Sequence, residues 1–513
     1  MSPTTSLEIE RKYDVDEAVR VPDLAGTGPI QRAETQEPVE LRATYLDTAD
    51  HVLLGNRITL RRREGGADEG WHVKLPASAG ARREVHSPLG ADPDEALPAE
   101  LRRVVESVLR GRPVHPVLTL ATTRTVTRLV DADGAVLGEV ADDEVTASDP
   151  AVSDPAPAST WREWEVELAP GVDRADGEAL LDTVGETLVA AGARVSSSKS
   201  KLARGLSAVF AGVDVPAPVA LEPVELELGS AAEFVYDAIA PLVGDLVTVD
   251  PLVRSGEADA VHRFRTTVRR IRSILTVYRG VLPDDEAAWL ADALRTAGRA
   301  ASVARDLEVR AELLEHYADA APDGRLPHES LARMRAALRE TSREAAIDLE
   351  RALDDPAYFE LLDRLEALPV TEPEGDRALD DSDEFIADSL ALEAKRAHRR
   401  VRAATTAVSG AGGVRRETVH SARKAARRLR YALEAAKSAG VKGTKAARRT
   451  THGLQDLLGD ALDADALATW VEQSADAARR AGEDTFAYGV IVTLADADRR
   501  SALAGLRRAA KGL

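Results

Sequence analysis

The sequence predicts an α+β chain: an N-terminal antiparallel β-barrel tunnel with flanking helices, followed by an all-α duplicated helical-bundle domain. Three observations carry this. From Ser6 to about Val209, short alternating or β-branched runs are separated by Gly, Pro and Asp, the signature of antiparallel strands. From Ser230 onward Ala, Leu and Arg recur with a helical period. Within that second half "VHRFRTTVRRIRSIL", from Val261, returns as "VHSARKAARRLRYAL", from Val419.

Taken in order, the strand candidates are "SLEIERKY", "ATYLDTA", "RITLRRRE", "GWHVKLP", "LTLATTRTVTRLV", "AVLGEVADDEVTA" and "WREWEVELAP". Helices are expected at about 93–110 and 174–192, where apolar residues fall at helical spacing. The Pro-rich stretch "DVPAPVALEPVELELG" reads as a connector, giving a first domain over 1–212, a linker over 213–228 and a helical domain over 229–513. At 513 residues the chain is longer than one core usually serves.

The repeated histidines, His262 and His420, lie 420 − 262 = 158 residues apart. Each is followed by a similar spot, Arg305-Asp306-Leu307 and Gln455-Asp456-Leu457, at offsets of 44 and 36. Two bundle repeats, about 229–368 and 384–513, are the simplest reading. Between them the acidic segment 369–385 is expected to be a partly disordered loop. The stretches "GAGGVRRET" and "GVKGTKAARRT" miss the spacing of a phosphate-binding glycine loop and read as helix connectors.

Composition narrows the function classes. A net charge of -20 argues against generic attraction to nucleic acid or acidic lipid, though not against a local basic patch. Without cysteine there is no disulfide framework and no thiolate metal site. No apolar run approaches the roughly 20 residues that span a bilayer, and the N-terminus lacks a signal-peptide core, so a cytoplasmic location without membrane contact is expected.

The strands carry charge where a sheet would ordinarily carry apolar groups. Glu8, Glu10 and Lys12 alternate, as do Arg61 and Arg63, Arg82 and Glu84, and Glu163, Glu165 and Glu167. Lys74 lies between Val73 and Leu75. Alternate residues of a strand share a face. Trp164, Val166 and Leu168, on the other face from the glutamates, must pack on something. A barrel with a covered exterior and a charged lumen satisfies both faces. Clustered carboxylates suit Mg²⁺ or Mn²⁺, and surrounding Arg and Lys suit phosphate oxygens, so the lumen reads as a triphosphate site.

Glu8-x-Glu10-x-Lys12, "YLDTAD", "LRRR", "VKL", Glu163-x-Glu165-x-Glu167 and "SSSKSKLARGL" occur in the order found in the CYTH domain of the triphosphate tunnel metalloenzymes, which residues 5–210 resemble. That family includes inorganic triphosphatases, thiamine triphosphatases and class IV adenylate cyclases. The resemblance implies that Glu8, Glu10, Glu163 and Glu165 hold Mg²⁺ or Mn²⁺, with Glu167 a further carboxylate. It implies that Lys12, Arg61, Arg63, Lys74, Arg82, Arg124 and Lys201 bind phosphate. Glu8, Glu10, Lys12, Glu163 and Glu165 form the implied catalytic set, hydrolysis proceeding through metal-oriented water. Glu139 and Asp143 are further candidates, with Asp142 competing for the register. Lys199 shares strand parity with Lys201.

In the second half, helical offsets of 0, +3, +7 and +10 share one face. They select His262, Arg265, Arg269 and Arg272 in the first copy and His420, Arg423, Arg427 and Arg430 in the second. Arg270, Lys424 and Arg428 flank these stripes. Cationic neighbours would repel a metal ion, so a long anion fits better. From Lys395 to Arg449 there are 17 Lys or Arg against Glu417 and Glu434 alone. These helices, with "ARDLEV" and "LQDLLGD", resemble the CHAD domain, a conserved-histidine helical module associated with inorganic polyphosphate. The resemblance covers about 225–513. Asp306 and Asp456 are expected to be structural, orienting arginine.

Together these readings lead to the expectation of a metal-dependent hydrolase of inorganic tripolyphosphate or polyphosphate with a polyphosphate-binding helical module, for which association with polyphosphate granules is a further expectation. The alternatives are a non-catalytic polyphosphate-binding or targeting protein and a nucleoside triphosphatase or adenylate cyclase. Nucleic acid is disfavoured, since 4% aromatic residues leave few stacking platforms.

Overall fold

The computed structural model describes residues 4–76, 82–90, 96–152, 159–198, 200–209, 224–322, 326–409 and 415–512. The chain divides into two compact units, 1–221 and 222–513. Most of the connector, 214–223, lies outside the described residues, as does Lys199.

Unit 1 is one antiparallel sheet of eleven strands among the described residues. They are β1 (Thr4–Glu8), β2 (Glu10–Val15), β3 (Arg32–Thr35), β4 (Val39–Asp47), β5 (Thr59–Glu64), β6 (Gly70–Pro76), β7 (Arg82–Ser87), β8 (His115–Val130), β9 (Val136–Ser148), β10 (Ser159–Leu168) and β11 (Arg194–Val195). The order is β1-β7-β6-β5-β4-β8-β9-β10-β2-β11, with β3 on β8. The expected single strand over Ser6–Tyr13 is therefore two strands broken at Ile9. Glu8 pairs across to Arg82 at one end of the sheet and Glu10 to Glu167 at the other. The single residue Ile9 thus links β1 at one end of the curled sheet to β2 next to the other, which is how Glu8 and Glu10 come to share a lumen.

Helices α1 (Val52–Gly55), α2 (Ala99–Val104), α3 (Glu106–Leu109), α4 (Arg174–Ala190) and α5 (Lys201–Val209) flank it. The helix expected over 93–110 is two short ones split at Val105, with 93–95 outside the described residues. The one expected over 174–192 is α4, started by Asp173 accepting from the N–H of Ala175. Its Leu180, Leu181, Val184 and Leu188 bury Trp164 and Val166, the apolar face of the glutamate strand. Lys201 opens a helix rather than continuing a strand, because Leu202 and Leu206 pack on Leu118, Leu120, Ala147 and Trp161. Those partners share lumen-facing parity with Arg124, Asp143 and Glu163. The lumen is therefore charged along part of its length and filled by α5 at the apolar part. Gly205 permits that approach: a Cβ there would meet Leu118 Cδ2 at 2.5 Å.

Unit 2 is helical: α6 (Ala231–Arg254), α7 (Ala260–Val277), α8 (Asp284–Ala320), α9 (His328–Leu353), α10 (Pro356–Ala367), α11 (Ser382–Ser409), α12 (Arg416–Ser438), α13 (Lys445–Arg480) and α14 (Phe486–Ala509). Leu307 and Leu314 of α8, Leu338 of α9, Val471 of α13 and Ile491 of α14 share one core. The Tyr278 hydroxyl donates to the Ala432 carbonyl at 2.8 Å, tying the end of α7 to α12. The segment 369–385 is not the partly disordered loop expected from its acidity. Its backbone is satisfied by neighbours: Gly375 N–H donates to Val281 at 3.0 Å and Arg377 N–H to Gly280 at 2.7 Å, while Asp381 bridges Ser230. No helix among the described residues is long and apolar enough to cross a membrane.

Candidate functional sites

Strand parity delivers nine of the predicted residues, and the start of α5 a tenth, to one cavity of about 400 Å³ in unit 1. Glu8, Glu10, Lys12, Arg61, Arg63, Lys74, Arg82, Arg124, Glu165 and Lys201 all line it. Glu163 does not: it lies behind the wall, 3% exposed, accepting from the Trp161 indole at 2.6 Å and facing Lys201 at 2.8 Å. The lining also contains Glu84, Glu139, Glu167 and Arg128. Asp143, fully buried, settles the register left open between it and Asp142. Arg124 donates to both Asp143 oxygens at 2.7 Å, whereas Asp142 faces the other way and takes Arg162 at 2.8 Å.

Cations and carboxylates interleave. The Lys201 ammonium lies 2.9 Å from Asp143, 2.8 Å from Glu163 and 2.7 Å from Glu165. Lys12 reaches Glu165 and lies 3.2 Å from Glu10, and Lys74 donates to Glu8 at 2.6 Å. Burial disfavours every one of these charges, but the contacts decide the outcome. Against the upward push of burial, Lys12, Lys201 and Arg124 hold Glu165 well below the ordinary carboxylate range. Burial wins at Glu8, which is pushed up to about 8 with Lys74 opposing and Glu84 reinforcing. Burial, then the neighbouring Arg61 and Arg124, push Arg63 down to about 9.

His72 shares parity with Lys74, but no alternation of charge marks it in the sequence. It is buried, lies 2.7 Å from Glu84 and 3.0 Å from the Asp68 carbonyl, and is pushed down to about 3, chiefly by burial. Glu84 was visible as the alternate partner of Arg82. Its closeness to Arg61, at 3.7 Å, and to Lys74, at 3.9 Å, required the cross-strand register.

Oxygen donors of this kind match hard divalent cations. Among the described residues, however, no three His, Cys, Asp or Glu converge on one point in a metal-holding arrangement. Ammonium groups stand between the carboxylates instead. The buried Nε atoms of Arg61 and Arg63 have no hydrogen-bond partner, leaving donors for an anion.

In unit 2, α7, α8, α12 and α13 enclose a cavity of about 470 Å³. Arg265, Arg269 and Arg272 line it from α7, and His420, Arg423, Lys424 and Arg427 from α12. Two predicted members lie elsewhere. His262 is exposed outside this lining, and Arg430 turns to Glu434 at 3.2 Å beside the Tyr431 ring. The two stripes are therefore not equivalent: ten residues run about 15 Å along a helix, and the cavity takes Arg265 to Arg272 of one stripe and His420 to Arg427 of the other. Arg295, Arg299 and Arg310 of α8 and Arg416 of α12 also line it and belong to neither predicted stripe.

Arg265 donates to Asp306 at 2.7 Å, and Arg423 lies 3.4 Å from Asp463. Asp463 follows His420 by 43 residues, close to the 44 between His262 and Asp306. Asp463, not Asp456, is thus the counterpart of Asp306; Asp456 is exposed and pairs with His452 at 2.6 Å. Burial first, then Arg427 and Arg265, push Arg269 down. Burial, then Lys424 and Arg427, push His420 down. The Nε atoms of Arg265, Arg310 and Arg423 are buried without a hydrogen-bond partner. This cavity stores like-charge repulsion that an anion would relieve.

Comparison with known proteins matches each unit separately. A CYTH domain model matches residues 6–206 and a CHAD domain model residues 237–472. The uncharacterized proteins MT2285 and Rv2226 of Mycobacterium tuberculosis are each 38% identical to this chain over 533 residues, covering 100% of it and 98% of their own length. The crystal structure of the CHAD domain from the plant Ricinus communis is 22% identical with a TM-score of 0.44, covering 58% of this chain and 97% of its own.

Proposed function

Because the chain belongs to the family of proteins that join a CYTH domain to a CHAD domain, we propose that it is a metal-dependent hydrolase of inorganic tripolyphosphate or polyphosphate whose helical unit binds polyphosphate. The observation that carries this is the lining of the unit 1 cavity, where carboxylates and phosphate-gripping cations alternate around one volume. Arg61, Arg63 and Arg124 present guanidinium donors to phosphoryl oxygens, and Lys12, Lys74 and Lys201 add point charges. Glu8, Glu10 and Glu165, with Glu163 behind them, would hold Mg²⁺ or Mn²⁺, which when bound supplies Lewis-acid neutralisation of the phosphate charge. Substrate phosphates draw Lys12 and Lys201 away from the carboxylates by offering them new partners. The apolar filling by α5 keeps bulk water out of that part of the lumen.

The arginine-rich cavity of unit 2 suits a linear polyanion, its unpartnered Nε donors and mutually repelled guanidinium groups being satisfied by phosphate oxygens. A second reading, in which the tunnel grips a polyphosphate end without turnover, is favoured by the salt bridges that already neutralise its carboxylates. Phosphate release from tripolyphosphate, polyphosphate and nucleoside triphosphates, with and without Mg²⁺ or Mn²⁺, decides between them. Hydrolysis abolished by Glu10→Ala, with polyphosphate binding retained, supports the enzyme. Tight binding with no release in either metal leaves the gripping protein, and a cyclic nucleotide product from ATP overturns the inorganic substrate.

A further inference from the structure

The helical unit carries a second basic hollow, separate from the central cavity and touching it at one residue. It has a volume of about 430 Å³ and lies between α11 and α12, lined by Arg396, Arg399, Arg400, Lys424 and Arg428 with Ser421. Lys424 lines both volumes. On α12 the positions are sorted by helical angle: Arg423 and Arg427 face the central cavity, and Arg428 and Ser421 the outer hollow.

The hollow is built on a buried acid. Glu393 of α11, 1% exposed, accepts from Arg428 Nε at 2.6 Å and lies 3.6 Å from Arg396. One carboxylate therefore fixes two guanidinium groups while leaving net positive charge. Arg399, Arg400 and Lys424 are exposed and have no acidic partner within ion-pair distance among the described residues. Burial, then Arg427, Arg272 and Arg269, push Lys424 down. It feels the central cavity's field from the edge of the outer one.

The first repeat does not carry the same basic residues at the corresponding helix. Its first helix, α6, contains Arg254 as the one Lys or Arg in 24 residues, and Arg254 is bound to Asp250 and Asp354. The corresponding helix α11 contains five, from Lys395 to Arg402. Four residues past the histidine, the first copy has Thr266 where the second has Lys424. The basic surface leaves the central cavity on the second-repeat side.

We propose that this outer hollow is a second anion subsite, into which a linear polyphosphate continues from the central cavity past Lys424 over the α11–α12 face. This rests on the polyphosphate reading given above and adds a direction and a length dependence to it. The lining favours a bare phosphate polymer over nucleic acid, because it contains no aromatic residue on which a base could stack. Five cations grouped around Ser421 match phosphate oxygens repeated along a chain.

The test uses the full chain and long-chain inorganic polyphosphate, with binding measured across a salt series. Replacing the exposed pair, Arg399→Ala with Arg400→Ala, should weaken long-chain binding about tenfold at moderate salt. By analogy with flexible nucleic acid strands, it should lower the slope of log affinity against log salt by about 1.4. Restoring charge with Arg399→Lys and Arg400→Lys should restore the slope. Arg269→Ala, inside the central cavity, reports on the parent reading. If wild type binds no polyphosphate, that reading fails and takes this one with it. If Arg269→Ala weakens binding while the Arg399/Arg400 pair leaves affinity and slope unchanged, only the outer subsite is overturned. Tighter binding of single-stranded RNA at matched charge and salt, lost in the same pair, overturns the polyphosphate assignment of the hollow.

Discussion

Removing the Lys201 ammonium tests whether unit 1 is held together as a charged cage. In Lys201→Met the side chain keeps similar bulk but loses a charge lying within 2.9 Å of Asp143, Glu163 and Glu165. The side chains concerned are 10%, 0%, 4% and 10% exposed, so solvent screening is weak and the range for surface pairs does not apply. Breaking a buried pair by deleting one partner costs about 3–5 kcal/mol, because the remaining charge stays buried without its partner. That loss is expected here at neutral pH without metal. It would be read by urea unfolding, followed through the fluorescence that Trp161, bonded to Glu163, and Trp164 contribute.

The pH dependence has a definite sign. In the native protein burial raises Asp143 and Glu165, but Lys201 and Arg124 at Asp143, joined by Lys12 at Glu165, outweigh it and hold both low. Their contribution is complete above the unfolded carboxylate range of about 4 and is lost only as pH falls through the lower folded values. Without Lys201, burial gains the upper hand, so the variant should lose stability as pH rises. Mn²⁺ or Mg²⁺ should restore more stability to the variant than it adds to wild type. A cost below about 1 kcal/mol with no pH trend and no metal rescue would refute the cage.

Further outcomes follow from the same geometry. Burial pushes Glu8 up to about 8, so a proton competes with metal there; Mn²⁺ affinity by calorimetry should rise as pH approaches about 8, and Glu8→Gln should flatten that rise. Replacing Arg423 and Arg427 with Glu should weaken polyphosphate binding and cut its salt slope by about 1.4 or more, measured by fluorescence anisotropy. Truncating Trp164 to Ala, where Leu181 and Val184 of α4 bury it completely, should cost about 3–5 kcal/mol in unit 1 unfolding and leave polyphosphate binding by unit 2 unchanged.

Strand parity made most of the tunnel legible. Charged residues alternating with Trp164 and Val166 require two different environments, and the sheet supplies α4 outside and the cavity within. What period-two reasoning does not reveal is pairing. Asp142 and Asp143 are separated only by knowing that Glu163 sits opposite Asp143, and Glu84 gains its importance from lying opposite Lys74. Lys201 was legible by type and not by element, since a helix whose leucines plug an apolar lumen looks like an exposed amphipathic segment until its partners are placed. In unit 2 the arginines of α7 and α12 were visible as stripes, but those of α8 follow no duplicated motif and enter through packing alone.

The two cavities solve opposite electrostatic problems with the same residue types. In unit 1 the ammonium groups and Arg124 are matched by carboxylates, as Lys74 is by Glu8 and Lys201 by Glu165, so a ligand must compete for those partners. On the proposed function, a metal held by Glu8, Glu10 and Glu165 would displace ammonium from the carboxylates, and substrate phosphates would take the place of carboxylate among the cations. Selectivity would then come from requiring both exchanges together, since either alone leaves buried charge unpaired. In unit 2 the acids are few and paired to single arginines, as Asp306 is to Arg265, while Arg269 and Arg427 are pushed down by burial and by nearby cations. That site would gain from a dense anion with far less exchange of partners. On the proposed function, a site that needs a metal to release its carboxylates and a site that rewards the length of a dense anion would be complementary for one polymer, and the charge balance of each cavity is what would divide the two tasks between them.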